Sequence, residues 1–554
     1  MKLTLSPARP QPPPPQPLPE HPRLASDVLV HEPLEEGAPW VVQFGGRRYL
    51  RVGAGMARLL TLADGTHTAH DIAAELGGSW SPELVNAGLL RAQQTHLLHG
   101  DEQQRPRDRA FTFVPPLTFQ FTVLRPDRLL SRLRPLTERL AHRGLAAALA
   151  VLAVAGLLSV AGQLPTITNA LGSPVAVPTL VLWVCLSYVG IVLHECAHGL
   201  VLSHYGGRPN RMGVMLFYLT PAFFCDVTDG WRLPRNSQRV RVALAGISAQ
   251  VAIGGLAAVA SAVVAAAGGS SELRDCFLLL AVSNYTAGVF NAVPFVKLDG
   301  YLALMGHLDL SHLRERAMVD ARRLVARLLF GGRYERALPG VSWAPLFGLA
   351  CMIFPVYVVG MAFTIWRTLL EDMGTAGAAV VVLVLTYVML RLYSGAARLI
   401  AEARTAGART WRIVVVPMVV LVAMVAISAG LSLPYTVTGG FLRDHERVVF
   451  VTTGAADQAA IRTGAKVTLE RSGIVFHDRL GNATVASAGP MDTSAPFSVF
   501  APVKGLDGLR VPACAVPLET DGLPSDTTGL AVVSAGHRSL GAWLYLRYLA
   551  PFWR

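Results

Sequence analysis

Apolar residues occur in long unbroken runs through the middle of the chain, with neither the amphipathic helical period nor the alternation of a half-buried strand. Each run has about 20 residues or more, which at about 1.5 Å per residue is enough to cross a bilayer. Seven runs are expected to be spans: 144–164, 177–203, 240–267, 273–296, 343–365, 376–396 and 412–433. The pattern predicts a mainly α, polytopic membrane helix bundle of about seven spans within residues 144–433.

The segments on either side of the bundle follow different patterns. Residues 1–26 are rich in proline and predict a disordered lead-in. Residues 27–103 predict two short strands around a Gly-Gly turn and then three helices, the order of a small winged-helix domain; an uncommitted small α/β domain is the alternative. Residues 104–143 form a basic connector. Residues 434–554 alternate over short runs and predict a mostly β domain.

Composition and charge support a membrane protein and suggest its orientation. The chain is 52% hydrophobic and 16% charged, unlike a typical soluble domain, so a lipid bilayer is its expected environment. Arginines collect in every other loop, whereas 165–176, 268–272 and 366–375 are nearly free of basic residues. The positive-inside rule then predicts a cytoplasmic N-terminal domain and an extracytoplasmic C-terminal domain. This distribution also explains the net charge of +12, so no nucleic-acid partner is expected.

The second run contains three ionisable residues within five positions, deep in an expected span. His194 and His198 are four residues apart and therefore share one face of a helix, while Glu195 is offset around the axis. This H-E-x-x-H spacing is typical of zinc hydrolases, in which two histidines bind the ion and the glutamate is a general base. The alternative is a pair of histidines that are simply hydrogen-bonded inside the bundle. Because buried charge at membrane depth is costly, the metal interpretation is favoured.

Two histidines leave a catalytic zinc site one protein ligand short. The best candidate is Asp299, which follows an apolar run and precedes Gly300. Asn291 and Pro294 interrupt the preceding helix, and such a break at membrane depth is tolerated where it lines a protein cavity. We therefore expect a broken helix that brings Asp299 to the metal.

H-E-x-x-H in one span, followed by N-x-x-P-x-x-x-x-D-G at the end of a later one, resembles the site-2 protease family of intramembrane zinc proteases. The intervening stretch "YLTPAFFCDVTDGWRLPRNSQRVRVALAGISAQ" resembles the bacterial peptide zinc metalloprotease branch of that family. The resemblance implies that His194, His198 and Asp299 bind one Zn²⁺ per chain, with Glu195 as general base. It also implies that Asn291 and Pro294 shape the substrate cleft.

The same resemblance implies that small residues of the next long span pack against the active-site helix. Gly246 and Ala249 match that motif, but the asparagine often found there is absent and Gln250 follows instead.

Other residues near the motifs have less specific interpretations. Asp226 and Asp229 lie in a broken segment that suggests a re-entrant hairpin, and loop-structuring through turns and arginine pairs is favoured over metal binding. Cys196 is expected to fill space. Lys297 either steadies a peptide carboxylate or extends to the interface, and the second is favoured.

The flanking domains suggest a class of substrate. The N-terminal segment "RYLRVGAGMARLLTLADGTHTAHDIAAEL" resembles the PqqD-type domain that captures leader peptides, and the C-terminal domain faintly resembles outer adaptor domains of peptide export. Together they imply removal of the leader from a hydrophobic precursor of a ribosomally made, modified peptide of the daptide kind, in a bacterial cytoplasmic membrane. Peptide exporters or modification enzymes are possible partners. The alternatives are a regulatory protease that cuts an anti-sigma factor or a signal-peptide remnant, and a non-proteolytic immunity or export component.

Overall fold

A computed structural model describes most of the chain. It covers residues 18–33, 40–44, 48–99, 111–114, 118–133, 135, 138–139, 143–217, 220–372, 375–453, 461–487, 489 and 491–550. The expected disordered lead-in up to residue 17, the Gly-Gly turn, the end of the N-terminal domain at 100–103 and residues 104–110 of the basic connector lie outside the described residues.

The N-terminal unit, residues 18–99, combines a small antiparallel sheet with three helices. Its elements are β1 (Leu29–His31), β2 (Trp40–Phe44), β3 (Arg48–Val52), α1 (Ala54–Leu62), α2 (Ala69–Leu76) and α3 (Pro82–Gln94). The sheet order is β1-β2-β3, so β3 pairs on one side only. Capping fixes the helix starts: Thr68 and Asp71 form a capping box on α2, and Ser81 caps α3. Three helices follow the strand pair β2 and β3, as predicted. Strand β1 was not predicted, and the winged-helix assignment stays a prediction.

The segment expected to be a connector contributes structure of its own. It contains β4 (Phe111–Val114), β5 (Thr118–Leu124) and the short α4 (Asp127–Arg132). β5 pairs with β7 (Met212–Phe217), which pairs with β8 (Thr220–Cys225), giving the sheet order β4-β5-β7-β8. The hairpin suggested by the broken segment is therefore present as β7 and β8. Its pairing with β5 was not apparent from the sequence, because the two segments lie about 90 residues apart.

The membrane domain combines long apolar helices with shorter or more polar ones. Its helices are α5 (Arg143–Gly162), α6 (Leu164–Leu171), α7 (Val177–His204), α8 (Asn236–Ala266), α9 (Ser271–Ala292), α10 (Asp299–Leu308), α11 (Leu313–Phe330), α12 (Ala344–Asp372), α13 (Thr375–Thr405) and α14 (Thr410–Gly430). Strand β6 (Val175–Ala176) precedes α7, and a 3₁₀ turn (Thr228–Arg232) follows β8. The mainly α, polytopic architecture is confirmed at this level.

Among the described residues, six helices are long and apolar enough to cross a membrane: α5, α7, α8, α12, α13 and α14. The expected span 273–296 forms helix α9, which carries Glu272, Arg274 and Asp275 near its start and Asn284 and Asn291 further along. It does not reach the apolarity of the other six, so the count of seven stays a prediction. α9 packs on α7 and α8, and half of the apolar stretch of α8 is buried. These three helices form the centre of the bundle.

The C-terminal domain is a closed antiparallel barrel, which confirms the mostly β prediction. Its elements are β9 (Ser432–Asp444), β10 (Arg447–Thr452), β11 (Lys466–Glu470), β12 (Arg479–Val485), β13 (Met491–Pro496), a 3₁₀ turn (Phe497–Val499), β14 (Val503–Lys504), β15 (Arg510–Thr520), β16 (Thr528–Ser539) and the helix α15 (Leu540–Tyr548). The ring closes in the order β10-β9-β16-β11-β12-β15, because β10 also pairs with β15. Its interior is filled by side chains such as Phe441, Phe450 and Leu469.

The barrel contacts the start of α7, whereas the N-terminal unit contacts segments near the end of α7. The barrel pairs β14 with β6, immediately before α7 begins. The N-terminal unit contacts the 3₁₀ turn Thr228–Arg232 and the end of α10, and that turn follows β8, which packs on α7. His194 and His198 lie in the second half of α7, away from the end that contacts the barrel.

Candidate metal centre

Helix α7 presents both histidines of the H-E-x-x-H motif to the interior of the bundle. His194 and His198 are 5% and 4% exposed, and they lie on one face because four residues make about one turn. The Glu195 side chain is partly buried beside them, with an Oε1 to His194 Nε2 distance of 3.9 Å. The motif therefore brings two imidazoles and one carboxylate together, as its spacing predicts.

The third residue comes from the break between α9 and α10. Helix α9 ends at Ala292, residues 293–298 run through turns and bends that include Pro294, and α10 begins at Asp299. Gly300 allows this sharp reversal, because a Cβ there would lie 2.0 Å from the backbone oxygen of Ala292. The break turns Asp299 back toward α7.

His194 Nε2, His198 Nε2 and the Asp299 carboxylate group form the corners of a small triangle. His194 Nε2 is 3.3 Å from His198 Nε2. Asp299 Oδ2 is 3.2 Å from His194 Nε2, and Asp299 Oδ1 is 3.2 Å from His198 Nε2. Ligands about 2.0 to 2.1 Å from a tetrahedral zinc ion are about 3.3 Å apart, so this spacing fits the ion.

The hydrogen bonding around the triangle also fits a cation. His198 Nδ1 lies 2.8 Å from the carbonyl oxygen of Val242 and donates to it, so the lone pair of a neutral His198 is on Nε2, facing the triangle. Asp299 Oδ2 is buried and has no hydrogen-bond partner among the described residues, although His194 Nε2 is near. Converging acceptors without a donor are stabilised by a positive ion. The residues present therefore fit a bound Zn²⁺.

Comparisons with protein-family models, with curated proteins and with solved structures find no match. The chemistry of this chain therefore has to be inferred from these side chains and their arrangement.

Gly246 of α8 allows the imidazoles to approach that helix. A Cβ at this position would lie 2.4 Å from His194 Cε1 and 2.4 Å from His198 Nε2. Any side chain larger than hydrogen would therefore displace both rings. The motif implied by the resemblance places Gly246 against the active-site helix, and the structure brings it directly against the histidines.

A hydrogen bond joins the side chain of Asn291, near the C-terminal end of α9, to that of Gln250 in α8. Asn291 Nδ2 donates to Gln250 Oε1 at 3.1 Å, and Gln250 is buried. Gln250 therefore holds the Asn291 amide in one orientation beside the break that contains Pro294. The sequence left the polar role of Gln250 open, and this contact supplies one.

The hairpin sheet contacts the motif through its outer strand. β8 is an edge strand of the sheet that packs on α7, and its last residue, Cys225, lies close to the Glu195 carboxylate. Glu195 thus lies between Cys225 on one side and His194 on the other. This position suits a base that exchanges protons with groups at the triangle.

Asp226 and Asp229 structure the loop instead of joining the triangle. Asp226 accepts from the backbone and hydroxyl of Thr228 and pairs with Arg211. Asp229 accepts from the backbone N–H of Arg208 at 2.7 Å. Among the described residues, the grouping of possible metal ligands is His194, His198 and Asp299, without these aspartates.

The linker between α9 and α10 is held from outside by α11. Lys297 pairs with Glu315 at 2.6 Å, and their side chains are 51% and 40% accessible. Arg314, by contrast, is buried, and its guanidinium donates to the carbonyl oxygens of Phe295 and Cys351. Arg314 was not apparent from the sequence, because α11 carries several arginines and their pattern does not distinguish a buried one.

Proposed function

We propose that this protein is a membrane-embedded, zinc-dependent endopeptidase. The observation that carries the proposal is the convergence of His194, His198 and Asp299 at 3.2 to 3.3 Å, with Glu195 beside them, inside a bundle of apolar helices. A bound zinc ion would act as a Lewis acid toward a peptide carbonyl and would lower the pKa of water to about 7. The spacing of the ligand atoms and the unsatisfied Asp299 oxygen support this assignment.

In this proposal Glu195 moves the proton. Its Oε1 accepts a proton from the attacking water and later donates it to the nitrogen of the departing amine, so that one carboxyl group serves both steps. Cys225, at the end of β8, lies beside this carboxylate. His194, His198 and Asp299 act as ligands and do not need to change protonation state.

A peptide bond can be cut only after the substrate helix is locally unwound, because a helix keeps its carbonyls hydrogen-bonded. The break at 293–298 places non-helical backbone beside the triangle. Asn291, oriented by Gln250, offers an amide that can pair with a loosened peptide group. Asn291 and Pro294 are therefore proposed to line the substrate cleft.

The proposed substrate is a hydrophobic precursor peptide whose leader is removed as the peptide matures. The resemblance of the N-terminal unit to leader-binding domains supports this choice, as does its position against residues 228–232, close to the hairpin. The arginine-rich loops support placing the N-terminal unit in the cytoplasm and the barrel outside a bacterial cytoplasmic membrane. A regulatory protease for a membrane-anchored factor would use the same chemistry on a different substrate.

The test compares wild-type protein with Glu195→Gln, co-expressed with a candidate precursor, using mass spectrometry of the products and of the bound metal. Loss of the base should slow cleavage about 10²- to 10⁴-fold, since positioned acid–base groups contribute that much. Zinc content should stay at one ion per chain in Glu195→Gln and be lost in His194→Ala. Glu272→Gln, at the exposed start of α9, is the matched control.

Two outcomes would contradict the proposal. Wild-type protein that binds no zinc would rule out the metal assignment. Zinc-loaded protein in which Glu195→Gln cleaves as fast as wild type would rule out Glu195 as the base.

A further inference from the structure

Two side chains on one face of β3 connect the N-terminal unit to the rest of the molecule. Tyr49 and Arg51 are two residues apart on the strand, so they point to the same side of the sheet. Tyr49 reaches the 3₁₀ turn that follows β8, and Arg51 reaches the residue that follows α10. One strand therefore contacts both segments that extend from the metal centre.

Arg51 contacts Asp309 with two hydrogen bonds. Its Nη1 lies 2.8 Å from Oδ1 and 3.0 Å from Oδ2. Arg239, near the start of α8, donates to the same Oδ1 at 2.7 Å. Both guanidinium groups also lie over the ring of Trp231, at 5.7 Å and 5.5 Å from its centroid. Asp309 thus joins β3, α8 and the end of α10.

Asp309 is linked to the metal centre by a single short helix. It is the C-terminal cap of α10, with φ at +52°, and the first residue of α10 is Asp299. Ten helical residues span about 15 Å and behave as a rigid rod over that length. A restraint at Asp309 is therefore transmitted to the carboxylate that faces His194 and His198.

Tyr49 makes the second contact. Its hydroxyl donates to Asp229 Oδ1 at 3.0 Å, and Asp229 is 3% exposed. Burial, and then the nearby Asp229 carboxylate, raise the pKa of Tyr49 well above its ordinary value, so the hydroxyl stays a donor at physiological pH. Asp229 lies four residues after Cys225, the last residue of β8, and β8 packs on α7 beside Glu195.

We propose that the N-terminal unit is a clamp for the metal centre, in which Arg51 positions Asp299 through α10 and Tyr49 positions Glu195 through the 3₁₀ turn and β8. Both are positioning residues and touch neither metal nor substrate. The Arg51–Asp309 pair is partly exposed, with side chains 30% and 41% accessible, so the clamp is held weakly enough to open and close. Docking of the N-terminal unit then controls how well the site is assembled.

Hydrogen exchange by mass spectrometry and Zn²⁺ titration of the full chain test this clamp. Arg51→Ala should speed exchange in 299–308, and Tyr49→Phe should speed it in 220–232. Arg51→Ala should weaken Zn²⁺ affinity by up to roughly tenfold, at the low end for outer-shell changes at metal sites. Tyr49→Phe acts through Glu195, which is not a ligand, so it should leave Zn²⁺ affinity unchanged. Arg51→Lys should recover part of the loss. Arg58→Ala, an exposed arginine on α1 of the same unit, is the control and should change neither readout.

A double-mutant cycle separates the clamp from a general loss of stability. Arg51→Ala should have little further effect once Asp309→Asn has removed the partner charge, since the two residues act as one contact. The inference is overturned if the double variant Tyr49→Phe/Arg51→Ala exposes β3 to exchange but leaves Zn²⁺ affinity and exchange in 299–308 unchanged. The inference is also overturned if β3 stays protected from hydrogen exchange in that double variant, because Tyr49 and Arg51 would then not hold the N-terminal unit in place.

This inference rests on the proposed function only in its Zn²⁺ arm. If wild-type protein binds no Zn²⁺, the proposed function fails, while exchange in 220–232 and 299–308 still decides whether the clamp exists.

Discussion

The N-terminal unit and the C-terminal barrel attach to the membrane helices by different kinds of contact. The N-terminal unit uses side chains: the Tyr49 hydroxyl on Asp229 and the Arg51 guanidinium on Asp309. The barrel uses backbone: β14 pairs with β6, and Val475 donates to the carbonyl oxygen of Leu171 at 3.0 Å. Its first strand also continues directly from α14. The barrel is therefore tied to the helices along the chain itself, whereas the N-terminal unit rests on a few polar pairs.

The aromatic C-terminal helix strengthens the attachment of the barrel. Trp543 and Leu546 of α15 pack against the barrel core, and Tyr548 meets Phe363 of α12 with ring centroids 5.4 Å apart. Helix α15 therefore contacts both the barrel core and a long helix of the membrane domain.

Distance from the metal centre distinguishes the two attachments further. His194 lies 17 residues after Val177, where α7 leaves the barrel, which corresponds to about 25 Å along the helix. The N-terminal unit acts through one ten-residue helix and one turn. The barrel, which is attached through backbone pairing, is therefore remote from the metal centre. The N-terminal unit, which is attached through a few polar side chains, is close to it. Substitutions at the two ends should therefore differ in their effect on metal binding.

The largest effect is expected at Gly246, where the site touches α8. Gly246→Ala would place a methyl group 2.4 Å from both imidazoles, so the rings must move apart. We expect Zn²⁺ affinity to fall by about 100-fold or more, with stability reduced by about 1 to 3 kcal/mol, as for other overpacked cores. Zn²⁺ titration and thermal unfolding measure the two effects.

Gly288→Ala is the matched control for Gly246, because a Cβ there meets its nearest neighbour at 3.8 Å. Unchanged Zn²⁺ binding in Gly246→Ala would mean that the imidazoles do not hold the ion.

An intermediate effect is expected in the linker that carries Pro294. Arg314→Met removes the donor to the carbonyl oxygens of Phe295 and Cys351, at a cost of about 1 to 3 kcal/mol for leaving buried acceptors unpaired. The loosened linker should weaken Zn²⁺ affinity by roughly tenfold, as measured by competition with a chelator.

Lys297→Ala provides the comparison within the same linker. Its pair with Glu315 is exposed, so we expect a change of about 0.5 kcal/mol or less and normal cleavage. If Lys297→Ala abolished cleavage while Zn²⁺ stayed bound, Lys297 would contact the substrate instead of the solvent.

Local patterns in the sequence predicted much of the site. The i, i+4 spacing of His194 and His198, and the helix break at Pro294 before Asp299, depend only on neighbouring residues and on helix geometry. The structure brings these three ligand candidates together. The mostly β character of the C-terminal domain was likewise predictable from short alternating runs.

Contacts between distant segments could not be predicted in this way. The amide pair of Gln250 and Asn291, the buried position of Arg314 and the Arg51–Asp309 pair join residues that are 37 to 258 apart in sequence. The hydrophobic periodicity of the sequence does not predict such contacts, because each depends on how whole elements pack against one another. Helix α9 shows the same limit, since its polar residues lower its apolarity while its position at the centre of the bundle is set by α7 and α8.

The smallest effect on the metal centre is expected at the barrel attachment. Val175→Pro removes the N–H that donates to the carbonyl oxygen of Pro502 at 2.9 Å, at a cost of about 1 kcal/mol, while Val175→Ala keeps that donor. Hydrogen exchange at residues 503–504 should speed up in the proline variant alone. Zn²⁺ affinity should stay within about twofold of wild type, because the disrupted pair is about 25 Å from His194. A loss of affinity as large as that of Arg51→Ala would mean that α7 transmits strain along its whole length, and the contrast between the two attachments would disappear.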